Sequence, residues 1–131
     1  RKAEAAREAL ASAGPQNVSY SASQLEEFED RAHEARRTAR EACVDIGKGP
    51  KLGLKIIDAE IEAFKAEQVP ADHVKVLTDA RAEVVEMIDV RYQELKESLD
   101  KARAANEEAA ADDFLTRIKK ECGEEHYEKA K

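Results

Sequence analysis

A chain of 131 residues with a net charge of −7 and 39% charged side chains has room for a single core, but aromatics are only 5% and Trp is absent, too little bulk for a thick one. The acidic balance, 29 Asp and Glu against 22 Lys and Arg, excludes long-range attraction to nucleic-acid phosphates or anionic membranes. No run of 18 apolar residues occurs and RKAEAAREAL at the start lacks the apolar centre of a signal peptide, so direct membrane insertion by this segment is not expected.

Ala (24) and Glu (20) make up about a third of the chain. Neither branches at Cβ, so both keep their freedom in a helix. The composition predicts an all-α protein with solvated outer faces.

In chain order, residues 1–13 read as a short helix closed by Gly14 and Pro15, which cannot continue it. The polar stretch QNVSYSAS follows. Within it Asn17-Val18-Ser19 fits the acceptor pattern for N-glycosylation, which makes Asn17 a candidate glycan site. Ser23 with Glu26 three residues on forms a capping box, predicting a helix from about Gln24.

On that helix Leu25, Phe28, Ala32, Ala35, Ala39, Ala42 and Ile46 repeat at alternating spacings of three and four, a heptad seam. Its centre is alanine, so a neighbouring backbone can come close, but little apolar area is gained per residue and more than one partner helix is required. Arg31, Arg36, Arg37 and Arg40 are predicted on the solvated face, with Glu27–Arg31 and Arg37–Glu41 as i,i+4 pairs.

GKGPKLG, residues 47–53, interrupts the helix. Leu54, Ile57, Ile61 and Phe64 resume the spacing on a third helix ending near Val69, and Pro70 suits the first turn of the next. No Gly or Pro follows until Gly123. Val74, Leu77, Val84, Ile88, Leu95, Leu99 and Ala102, widened by Val85 and Tyr92, form one broad apolar face. An unbroken helix over 70–122 would be about 80 Å long. Two layouts compete: GKGPKLG as a turn gives an up-down-up bundle, and GKGPKLG as a kink gives a hairpin with the two middle helices end to end. The expected architecture is the first, an elongated three-helix bundle in one domain over residues 1–131, with one long C-terminal helix and a short N-terminal one.

Cys43 and Cys122 test this geometry. A straight last helix separates them by about 40–60 Å, whereas a disulfide needs Cα atoms within about 7 Å. A bond within the chain therefore requires a reversal between Lys101 and Glu108, where Asn106 is the one candidate breaker. Otherwise the two are free thiols or have partners outside the chain.

Chemistry is scarce. Asp30 with His33 is the nearest approach to the Glu-x-x-His pairs of di-metal bundles, and it occurs once. No metal or cofactor is expected. His73 and His126 read as surface histidines, and the cysteines as small buried thiols on helices. GKGPKLG lacks P-loop spacing and its Lys-Ser or Lys-Thr ending. No catalytic constellation is apparent, and an exchangeable lipid-binding bundle would want wide Leu-rich faces in place of alanine. Recognition of another protein is what remains.

Ala/Glu richness, long helices in a slender bundle, the sequon at Asn17 and two cysteines together resemble the helical-bundle surface proteins of trypanosomes, including the glutamate/alanine-rich kind. The resemblance implies a non-enzymatic ectodomain at a cell surface, meeting a protein partner or neighbouring surface molecules. A thin rod packed on alanine suits a dense coat. The rival expectation is a cytoplasmic coiled-coil scaffold that uses the same seam to self-associate.

Overall fold

The computed structural model describes residues 19–45 and 48–131. The expected helix over 1–13, Asn17 and the last seam residue, Ile46, lie outside the described residues. Within them are five helices and no strand: α1 (Ala22–Val44), α2 (Pro50–Ala66), α3 (Ala71–Ala104), α4 (Glu108–Cys122) and α5 (Glu124–Ala130).

The α1 seam packs as its spacing predicts. Phe28, Ala32, Ala35, Ala39 and Ala42 are all buried, with Ala32 and Ala39 fully excluded from solvent. The capping box, however, sits two residues earlier than Ser23 and Glu26. Ser21 Oγ accepts from the Gln24 N–H at 3.1 Å, and Gln24 Oε1 accepts from the Ser21 N–H at 2.8 Å. Gln at the third helical position serves as well as Glu. The earlier start leaves Tyr20 just ahead of the helix, where its ring meets Phe28 edge-on at 4.8 Å and its hydroxyl donates to the Glu67 carbonyl.

GKGPKLG is a turn. Gly49 (φ 82°) caps α2 and Pro50 opens it, a position where the missing N–H costs nothing. The helix then runs back along α1: Phe64 meets Phe28 at 5.7 Å between ring centroids, and Gly53 lies against the Ala39 carbonyl. At Gly53 a Cβ would fall 2.8 Å from that oxygen and 3.1 Å from Cys43 Sγ. Small residues on both helices thus set their separation.

α2 ends in a Schellman motif with Gln68 at φ 56°. The Val69 N–H donates to the Phe64 carbonyl and the Gln68 N–H to the Lys65 carbonyl, satisfying carbonyls the helix leaves open. Val69 is buried beside its turn. Pro70 precedes α3 as its cap residue rather than lying in its first turn.

The long helix is where the expected architecture fails. α3 is 34 residues, about 51 Å, and it stops at Ala104 instead of continuing to Cys122. A second Schellman motif ends it: the Glu107 N–H donates to the Ala102 carbonyl at 2.9 Å, the Asn106 N–H to Arg103 at 3.1 Å, and Asn106 adopts φ 59°. Asn tolerates this left-handed conformation better than other residues with a side chain, because its short polar group bonds locally. α4 then returns along α3, with Glu121 reaching Arg91, and α5 turns again so that His126 packs on Tyr92.

α3 is therefore a spine shared by two three-helix layers. α1 and α2 flank its first half through Leu77, Ala80 and Val84; α4 and α5 flank its second half, where Leu95, Leu99 and Ala102 are buried with Ile118 and Ala130. Val85, expected to widen the face, is 36% exposed, and Val74 is half-buried.

Three of the four arginines also depart from a merely solvated face. Arg31 turns from Glu27 to α2, binding Glu60 at 2.6 Å and Glu67 at 3.1 Å while lying 5.0 Å above the Phe64 ring. Arg36 and Arg40 both reach Glu83 of α3, at 3.2 and 3.0 Å. Arg37 alone keeps to its own helix, bridging Glu34 and Glu41.

Candidate functional site

The two layers meet at a waist near Ile88 of α3, where the start of α2, the end of α4 and the last turn of α1 converge. Gly49 makes the junction. A Cβ there would fall 2.7 Å from Glu121 Cβ and 2.9 Å from its Cα, so α2 and α4 meet backbone to backbone.

Glu121 is 7% exposed, the one charged residue among the buried described residues. A buried carboxylate needs compensation. Arg91 Nε donates to Glu121 Oε1 at 2.6 Å, Arg91 Nη2 donates to Oε2 at 3.4 Å, and Arg117 stands 3.6 Å from Oε2. The hydrogen bond to Glu121 raises the Arg91 pKa against the opposing effect of its burial. α3 supplies Arg91, and α4 supplies both Glu121 and Arg117 one turn earlier. The pair locks α4 to the spine at the level of the junction.

Both cysteines lie in this region. Cys43, half-buried on α1, faces Gly53, and burial raises its pKa. Cys122, buried at the end of α4, donates weakly to the Ile88 carbonyl at 3.9 Å. Burial, reinforced by the Glu121 carboxylate, pushes its pKa up to about 11. The reversal at Asn106 that a disulfide would require does occur, yet both remain free thiols. Each is directed into a different helix contact, Cys43 toward α2 and Cys122 toward α3. At neutral pH both are protonated, and the hydrogen-bond partner of Cys122 is a backbone carbonyl rather than a base, the opposite of an activated nucleophile.

The histidines are dispersed. His33 and Asp30 are exposed on α1, and His73 is half-buried at the start of α3. His126, expected on the surface of a polar tail, packs edge-on against Tyr92 at 4.9 Å with Nε2 3.4 Å from Asp89 Oδ1. Among the described residues no group of three or more His, Cys, Asp or Glu side chains is arranged to hold a metal ion, and no helix is long and apolar enough to cross a membrane.

Two further surface features stand out. An open groove of about 510 Å³ runs between α1 and α2, floored by Ala35 and Ile56 and rimmed by Asp30, Glu34 and Glu60. On the waist itself, a hollow of about 270 Å³ is lined by Lys48, Lys51, Leu52, Lys55 and Lys120. Neither the Arg91–Glu121 lock nor this lysine group is visible in the sequence, because each joins residues on opposite sides of the Asn106 reversal or of the α2–α3 turn. No known protein family, curated protein or solved structure matches the chain.

Proposed function

We propose that this chain is a non-enzymatic helical recognition module that works as a slender monomer, presenting its charged flanks to a protein partner or to neighbouring molecules at a cell surface. The alternative is an intracellular coiled-coil scaffold that self-associates. The observation favouring the first is the fate of the alanine seam. Ala32 and Ala39 are fully buried by the chain's own helices, which leaves no heptad stripe on α1 for a second copy.

The outer surface supports the same reading. It carries many exposed ion pairs, such as Lys75–Asp79 at 2.8 Å, Arg81–Asp58 at 2.7 Å and Lys96–Asp100 at 2.9 Å, each worth little stability but keeping the faces hydrated. Among the described residues the large exposed apolar side chains, Val44, Val85 and Val90, are too few for an obligate interface.

Light scattering coupled to gel filtration, with small-angle X-ray scattering on the same samples, tests the proposal. A rod built on a spine of about 51 Å has a radius of gyration of roughly 17 Å or more, against about 14 Å for a compact chain of this length. The proposal expects a 14.6 kDa monomer at every concentration with the larger radius. A dimer that grows with concentration would favour the scaffold.

A further inference from the structure

We propose that the lysine-lined hollow at the waist is a binding site for a compact anion carrying two or more phosphate or sulfate groups. Four lysines line it on a chain whose net charge is −7. Lys48 comes from the loop before α2, Lys51 and Lys55 from successive turns of α2, and Lys120 from the last turn of α4.

The local carboxylates are already engaged. Asp45 pairs with Lys48 at 3.3 Å, Glu121 is turned inward to Arg91, and Glu124 pairs with Lys119 at 3.8 Å. Among the described residues no carboxylate lies within ion-pair distance of Lys51, Lys55 or Lys120, although carboxylates outnumber cations in the chain. Like charges gathered at one place repel one another, and a bound polyanion would supply counter-charge to the three lysines that find no carboxylate among the described residues.

α2 itself begins without a side-chain cap and with no acidic residue in its first turn, so no carboxylate of that turn stands beside Lys51 and Lys55. Leu52 contributes the apolar wall. A hollow of about 270 Å³ lies at the small end of ligand sites, which fits a short cluster of oxyanions rather than an extended polymer. Lysine binds such groups as a point charge, without the bidentate geometry of arginine, so charge density rather than shape governs selection. Because Lys120 and Lys51 lie on either side of the Gly49–Glu121 junction, a ligand in the hollow spans the two layers.

Titration calorimetry of the full chain with inorganic tripolyphosphate in low salt tests the site, beside a sulfated disaccharide and inorganic sulfate. The variants are K55Q/K120Q and a charge-matched control, K75Q/K101Q. The expected result is saturable one-to-one binding of tripolyphosphate, at least tenfold weaker in K55Q/K120Q, changed less than twofold in the control, and weakened by salt. Tighter binding of the disaccharide than of tripolyphosphate would identify the oxyanion as sulfate, still at this site. Thermal melts within a few degrees of the parent confirm that these exposed substitutions leave the fold intact. No saturable binding by either polyanion, or equal loss in both variants, would overturn the proposal.

Discussion

Replacing Gly53 by Ala should destabilise the protein even though the residue lies inside a helix. At an exposed helical position the change would contribute about 1 kcal/mol of stability, because Gly loses more backbone entropy on folding and Ala is the best helix former. At Gly53 the new Cβ would lie 2.8 Å from the Ala39 carbonyl oxygen and 3.1 Å from Cys43 Sγ. Ordinary contact begins near 3.4 Å, so α1 and α2 must separate by roughly 0.6 Å. A gap of that order forfeits a quarter or more of the dispersion attraction across the contact, and overpacking of a tight site costs about 1–3 kcal/mol. The balance is a net loss of about 1–2 kcal/mol, or a fall in Tm of about 4–8 °C. Urea unfolding followed by helical circular dichroism would show a lower midpoint with an unchanged m-value. Adding Cys43→Ala should restore little, since the nearer atom is backbone. A G53A protein more stable than the parent by about 1 kcal/mol would refute the close approach of α1 and α2.

Arg91→Met should cost about 2–3 kcal/mol by leaving the buried Glu121 with only the 3.6 Å contact to Arg117, whereas Arg81→Met, which breaks the exposed pair with Asp58, should cost less than about 1 kcal/mol; equal losses in denaturant melts would contradict the waist lock. Asn106→Gly should be near neutral, while Asn106→Val, a branched residue at φ 59°, should lose about 1–2 kcal/mol; identical melting of the two variants would count against the left-handed turn. Cys122 predicts an alkaline decline. Its folded pKa of about 11 exceeds its ordinary value of 9.0, so the unfolded chain releases its proton first; the stability is complete below pH 9 and is lost as pH rises toward 11, by about 2–3 kcal/mol. Cys122→Ala should flatten that part of the pH profile, and a profile unchanged by the substitution would contradict the buried, protonated thiol.

The sequence displayed the first layer well, since the partners of α1 and α2 lie in adjacent segments and the three-and-four spacing of Phe28, Ala32, Ala35 and Ala39 marks the face they share. The second layer was concealed. Its defining event, the reversal at Asn106, uses neither Gly nor Pro but a pair of backbone hydrogen bonds closing onto Ala102 and Arg103. Gln68 ends α2 by the same device, and there only the following Pro70 betrayed the turn. Once α4 folds back, residues about thirty positions apart, such as Arg91 and Glu121, become neighbours, which no local pattern reveals. The capping box was legible in kind but not in place, because SASQ and SQLE both satisfy it. Arg31, Arg36 and Arg40 have the spacing of a solvated face, and only the positions of Glu60, Glu67 and Glu83 on other helices turn them into interhelical ties.

The reversal that creates the waist is open to one direct measurement. With Cys43 and Cys122 replaced by Ala, spin labels at Gln93 and Lys119, both exposed, would report the separation of α3 and α4 by pulsed electron resonance. Antiparallel helices with axes about 8–10 Å apart, plus two label arms, predict a narrow distribution near 20 Å. A straight helix through both positions would place them about 39 Å apart, and a distribution centred there would contradict the shared spine, the Arg91–Glu121 lock and the lysine hollow together.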